Sequence, residues 1–221
     1  MSDTRTEREK ETLRYRVALA GYVTHAETGK ALAGARVEMT KMPAAYALVV
    51  ERMQKQVGAG AWGRMPRRLD RTETRWDGLF FFANLPDGAY KVELSLPGMG
   101  KRFGVVSKTA KVGRDKDGGW RPVWVNAALP PTLVRGSIVG REVGVALARV
   151  RVKGSDESAF SDSEGWYVIA GIEPGKERML TVSAQGFEVM SKPLAIAGAG
   201  GSQTVDFVLQ ALPGGMHGLP G

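Results

Sequence analysis

The side chains that could carry chemistry are few in kind. The 221 residues include no cysteine and two histidines, His25 and His217, the second within a Gly/Pro-rich run. That excludes disulfides, thiolate zinc sites and cysteine nucleophiles, and it leaves a Ser-His-Asp triad or a histidine metal centre almost no material. Carboxylates are more plentiful. Glu73, Asp77, Asp87 and Glu164 could pair for acid–base work or ligate calcium. However, Asp77-Gly78 and Asp87-Gly88 read as tight turns in which aspartate bonds its own backbone, and no Asp-x-Asp-x-Asp-Gly loop is present. The expectation is a non-enzyme with no catalytic residue, no cofactor and no metal.

Two further groups could bind rather than react. Arg64, Arg67, Arg68, Arg71 and Arg75 form a basic run, and clustered arginines attract phosphates. Asp70 and Glu73 interrupt the run and no nucleic-acid motif accompanies it, so a solvated loop or an acidic protein partner is expected instead of nucleic acid. The aromatic group comprises Phe80, Phe81, Phe82, Trp166 and Tyr167. Strand alternation sends some of these outward and packs the others in a core. Exposed tryptophan, from among Trp62, Trp120, Trp124 and Trp166, gives the alternative reading of a carbohydrate- or surface-binding module.

The elements that position these residues read as short strands. Apolar residues take every second place in Tyr15-Val17-Leu19-Val23, in Tyr90-Val92-Leu94-Leu96, in Val123-Val125-Ala127-Leu129 and in Val205-Phe207-Leu209. Glycine at 29 and proline at 11 residues exceed ordinary usage and place turns between the strands. The formal charge is +8. No stretch approaches 18 apolar residues, and the charged start lacks a signal-peptide core, so a cytoplasmic protein without a membrane span is expected.

The pattern repeats. Gly21-Tyr22-Val23 with Leu32-Ala33-Gly34-Ala35-Arg36-Val37 matches Gly136-Ser137-Ile138 with Ala146-Leu147-Ala148-Arg149-Val150, and the segment from Asp77 to Gly88 matches that from Glu164 to Gly175. The offset is 113 residues at Val37/Val150 but 87 at Gly78/Gly165, so the first copy holds 26 extra residues, within Lys41 to Arg75. There Tyr46, Val49, Val50, Met53 and Val57 fall at helical spacing after Pro43, predicting one amphipathic helix followed by the basic loop. Pro130-Pro131 is the expected linker. The resulting division is a charged segment at 1–13, a first domain at 14–130 with the insertion at about 41–75, a second domain at 131–211 and a tail at 212–221.

These motifs, Gly21-x-Val23, Gly29-x-x-Leu32-x-Gly34-Ala35-x-Val37 and Asp77-Gly78-x-Phe80-x-Phe82-x-x-Leu85-x-x-Gly88, resemble the carboxypeptidase regulatory-like family of transthyretin-like modules. The resemblance implies an all-β fold of two tandem transthyretin-like (Ig-like) antiparallel β-sandwich domains. The leading strand and the inserted helix also resemble accessory proteins of phage-tail-like contractile injection particles, which implies protein subunits as partners. Tyr46, Val49, Val50, Met53, Trp62, Arg64, Arg67, Arg68 and Arg71 are the candidate partner contacts, and the helix is expected to lay its apolar face on its own sandwich. Some relatives of the fold form Lys–Asn isopeptide bonds. Asn126 lies in the last strand of the first copy, but the first strand offers Arg14 and Arg16 and no lysine, so no such bond is expected.

Overall fold

The computed structural model describes residues 16–114 and 118–213. Tyr15, the charged segment at 1–13, and residues 214–221 with His217 lie outside the described residues.

The first unit comprises β1 (Val17–His25), β2 (Arg36–Lys41), α1 (Ala44–Val57), α2 (Ala59–Arg64), β3 (Arg71–Glu73), β4 (Leu79–Ala83), β5 (Gly88–Ser95), β6 (Val106–Val112), β7 (Val123–Trp124) and β8 (Ala127–Leu129). One sheet runs β4-β1-β7 with β8 also on β1, and the other runs β3-β2-β5-β6. Alternation decides what lies between them. In β5, Tyr90, Val92 and Leu94 are buried, and so are Leu19, Val23, Phe80 and Phe82 of the other sheet.

The second unit repeats this plan with β9 (Leu133–Gly140), β10 (Val143–Gly144), β11 (Arg149–Val152), β12 (Ser158–Phe160), β13 (Trp166–Ala170), β14 (Arg178–Ser183), β15 (Met190–Leu194), β16 (Ser202–Thr204) and β17 (Phe207–Leu209). Its sheets run β10-β9-β13, with β16 and β17 also on β9, and β12-β11-β14-β15. Val134, Ile138, Val150, Tyr167, Leu180, Val182 and Phe207 form its core. Met99–Gly104 belongs to this unit and not to the first, because local bonds hold it there. Gly104 N–H donates to Pro130 O at 2.8 Å, Thr132 N–H donates to Arg102 O at 2.8 Å, and Arg102 reaches Glu157 at 2.7 Å and the Gly171 carbonyl at 2.9 Å.

Among the described residues the ladders are antiparallel except at one place in each unit. The last strand runs parallel to the first, and it is broken in two. At the break the chain rises over a glycine: a Cβ on Gly21 would stand 1.9 Å from Val125 O, and one on Gly136 would stand 2.0 Å from Val205 O. Only glycine admits that approach. The next residue then caps the first strand, since Asn126 Oδ1 accepts Tyr22 N–H at 3.0 Å and Asp206 Oδ1 accepts Ser137 N–H at 2.8 Å. A second device recurs under each unit's edge. Thr74 Oγ1 accepts Ala35 N–H at 2.8 Å and donates to Leu32 O at 2.6 Å. Ser161 Oγ accepts Ala148 N–H at 2.9 Å and donates to Val145 O at 2.6 Å. The repeat seen in the sequence therefore extends to individual hydrogen bonds.

Candidate functional site

The insertion leaves β2 and returns to β3, and its job begins with anchoring. Pro43 O accepts Tyr46 N–H and Ala47 N–H, both at 3.0 Å, which starts α1. The Tyr46 hydroxyl donates to Leu69 O at 2.9 Å, and its ring stands edge-on to Tyr90 at 6.3 Å. Burial, and then the Asp70 charge, push the Tyr46 phenol up to about 12. Val50 is buried on the same face. Beyond it the cover ends: every residue from 51 to 60 is exposed. Val49, Met53 and Val57 lie on that face at 47%, 38% and 39% exposure. The expected packing of α1 on its own sandwich thus holds for its first turn and a half only.

The basic run divides in two. Arg68 stacks over the Trp62 ring at 5.1 Å and forms ion pairs with Asp70, at 2.9 Å, and with Glu38. Arg71 is buried and donates to Gly63 O, at 2.9 Å, and to Met65 O. Burial first, and the neighbouring Arg68 and Arg36 charges next, hold its guanidinium below the ordinary value. Trp62 is buried too. Of the candidate contacts, Val50, Trp62 and Arg71 are buried and Arg68, half-buried, is ion-paired to Glu38 and Asp70, so the four are corrected to anchors within this unit, which the local sequence could not reveal. Tyr46 is half-buried. Val49, Met53, Arg64 and Arg67 remain exposed.

The anchored loop walls a cleft of about 200 Å3 lined by Tyr46, Arg67, Arg68, Leu69, Arg71 and Arg75, by Thr72 and Glu73 of β3, and by all of β4. Successive strand residues face opposite sides, so a cleft that touches five in a row runs along the strand's edge. Among the described residues that edge is open: β4 pairs with β1 alone. Val23 N–H donates to Gly78 O at 2.9 Å and Asn84 N–H donates to Arg16 O at 2.8 Å. Alternation between those bonds directs Phe80 and Phe82 toward β1 and turns the N–H and C=O groups of Leu79, Phe81 and Ala83 outward. The groups of Leu79 are taken, by Asp77 Oδ1 at 3.1 Å and Arg75 N–H at 2.9 Å. Phe81 and Ala83 are left facing the cleft.

Among the other aromatics, Phe80, Phe82 and Tyr167 are core, whereas Phe81 and Trp166 are exposed. Arg16 stands 3.3 Å and Arg114 5.4 Å from the centre of the Trp120 ring. Tyr22 and Trp124 stack at 5.9 Å with an interplanar angle of 9° on the outer face of the β4-β1-β7 sheet. No cluster of metal-ligating side chains occurs among the described residues, and no helix among them is long and apolar enough to cross a membrane. Sequence reasoning missed the edge of β4. The run Leu79-Phe80-Phe81-Phe82-Ala83 carries no charge, which was the available signal.

No family model matches the chain, and no curated protein matches it. Among solved structures it is similar to shaft pilin SpaA from Lactobacillus rhamnosus GG, at 11% identity over 88% of this chain and 96% of that one, with a TM-score of 0.39. It is also similar to the Bacillus anthracis TIE protein, at 12% identity over 89% of this chain and 34% of that one, with a TM-score of 0.37. A third similarity is to a type II Cohesin-X-Dockerin complex from Acetivibrio cellulolyticus, at 18% identity over 36% of this chain and 58% of that one, with a TM-score of 0.30. At these identities and scores no activity or partner passes from those proteins to this chain.

Proposed function

We propose that the chain is a non-enzymatic structural and interaction protein that contacts other protein subunits through its sandwich edges and its insertion. The observation that carries this reading is the open, uncharged edge of β4 beneath an anchored loop. Exposed edges invite pairing with another chain and are ordinarily blunted by lysine or proline. This protein blunts others: β6 carries exposed Lys108 and Lys111, and β15 carries Lys192 and Pro193. The setting we assign, carried over from the resemblance above, is an accessory or cap-type position on a phage-tail-like contractile injection particle assembled in the cytoplasm. Crosslinking mass spectrometry on native lysate tests both parts, using Lys41 at the start of the insertion and Lys55 within it. Links from these lysines to a particle subunit, lost in Phe81→Pro, are expected. Links that persist in Phe81→Pro count against the edge, and links to no particle subunit remove the setting.

The Tyr22–Trp124 stack favours a second reading, a surface that takes a sugar ring. Tryptophan fluorescence unmoved by polysaccharide in the wild type would remove it.

A further inference from the structure

Along the β4 cleft the charge is one-sided. Arg67 and Arg75 are exposed at its rim. Glu38 and Asp70 are committed to Arg68. Arg71 has a buried Nε with no hydrogen-bond partner. Glu73 is the sole carboxylate in the lining. The second unit provides an internal contrast at the matching edge, β13. Where the first unit has Arg75, the repeat places Asp162, whose carboxylate accepts Glu164 N–H at 2.9 Å and Trp166 N–H at 2.8 Å. No insertion walls that edge. The cationic cleft is thus a property of the first unit and of its extra residues.

We propose that this cleft receives an extended, carboxylate-bearing segment of a partner protein as an added strand on β4. The proposal rests on the reading of the β4 edge as a partner surface and names the partner's chemistry. The N–H and C=O groups of Phe81 and Ala83 supply the main-chain rungs, which any sequence can use. Alternate side chains of the incoming strand then point to one face. Carboxylates at those places meet Arg67 and Arg75, and intervening apolar side chains meet the exposed ring of Phe81. Arginine's planar fork suits a carboxylate better than a point charge does. A lysine-bearing strand meets like charge at the rim, so the cleft selects by repulsion as well as attraction.

Fluorescence anisotropy with three labelled heptapeptides tests this, alternating Glu with Val, Gln with Val, and Lys with Val. The whole chain is used, as wild type, as Phe81→Pro and as the double variant Arg67→Glu/Arg75→Glu, with circular dichroism to check folding. Proline at 81 removes an outward N–H and leaves the ladder to β1 intact. The expected result is Glu/Val binding at least about tenfold tighter than Lys/Val, lost in Phe81→Pro and reversed in preference in the double variant. Equal binding of the Glu/Val and Gln/Val peptides, with no change in the double variant, overturns the acidic partner but leaves the edge reading standing if Phe81→Pro still abolishes it. Glu/Val binding that survives in a folded Phe81→Pro overturns strand addition and the edge reading together. No binding of any peptide to wild type at millimolar concentration overturns the proposal.

Discussion

At the scale of single residues, the arginines that look alike in sequence do opposite work. Arg68 is nearly enclosed, with side-chain exposure of 5%, between Trp62, Glu38 and Asp70. Removing it leaves carboxylates without their counter-charge, and breaking such a pair costs about 3 kcal/mol. Arg68→Ala is expected to lower the urea midpoint accordingly, whereas Arg67→Ala, at an exposed place, is expected to leave it nearly unchanged. The buried hydroxyls of Thr74 and Ser161 each satisfy one N–H and one C=O. Thr74→Val and Ser161→Ala are each expected to cost about 1–3 kcal/mol in denaturant unfolding. Similar losses from the two would show that the repeat is energetic as well as geometric. None of this was legible beforehand. A basic run shows charge but not burial, since Glu38 and the carbonyls of Gly63 and Met65 reach the arginines only through the tertiary fold.

At the scale of elements, periodicity marked β1, β5, the split β7 and β8, β17 and α1, and turn chemistry placed boundaries beside β4 and β5. The insertion holds a second helix, α2, where a single helix was expected, because its six residues are too few to show a period. What periodicity could not give was which edges stay open. The final strand reads as one alternating run from Val123 to Leu129, yet it breaks over Gly21, because the clash that demands glycine lies between Gly21 and Val125, far apart in sequence. The helix reads as one amphipathic face, yet its covering surface ends after Val50. The anchor of that helix should be sensitive to alkali. Tyr46 and Tyr90 are both pushed from 10.0 up to about 12, in each case chiefly by burial. A raised folded-state value favours the protonated form, so this contribution to stability is fully present below about pH 10 and is lost as pH rises toward 12. Urea midpoints are expected to fall over that window and to fall less in Tyr46→Phe, which has one fewer phenol to ionise. A midpoint flat through pH 12 would contradict the packing of Tyr46 against Tyr90 and Leu69.

At the scale of the molecule, two units built on one plan differ by an insertion whose returning loop walls an otherwise ordinary sheet edge. The tandem fold was readable from composition and repeat. The cleft was not, because it needs the insertion, β3 and β4 placed together. The caps on the first strands also bear on covalent chemistry. Asn126 and Asp206 are engaged with Tyr22 and Ser137, so peptide mass mapping is expected to show no loss of ammonia or water at either residue. The central claim, that β4 offers an open edge which a partner closes, is tested most directly by residue-resolved amide hydrogen exchange across Leu79–Ala83. In the purified chain, Phe81 and Ala83 are expected to exchange fast while Phe80 and Phe82 exchange slowly, and in the crosslinked assembly isolated from native lysate all four are expected to be slow. Slow exchange at Phe81 and Ala83 in the purified chain, or fast exchange there in the assembly, would contradict the claim.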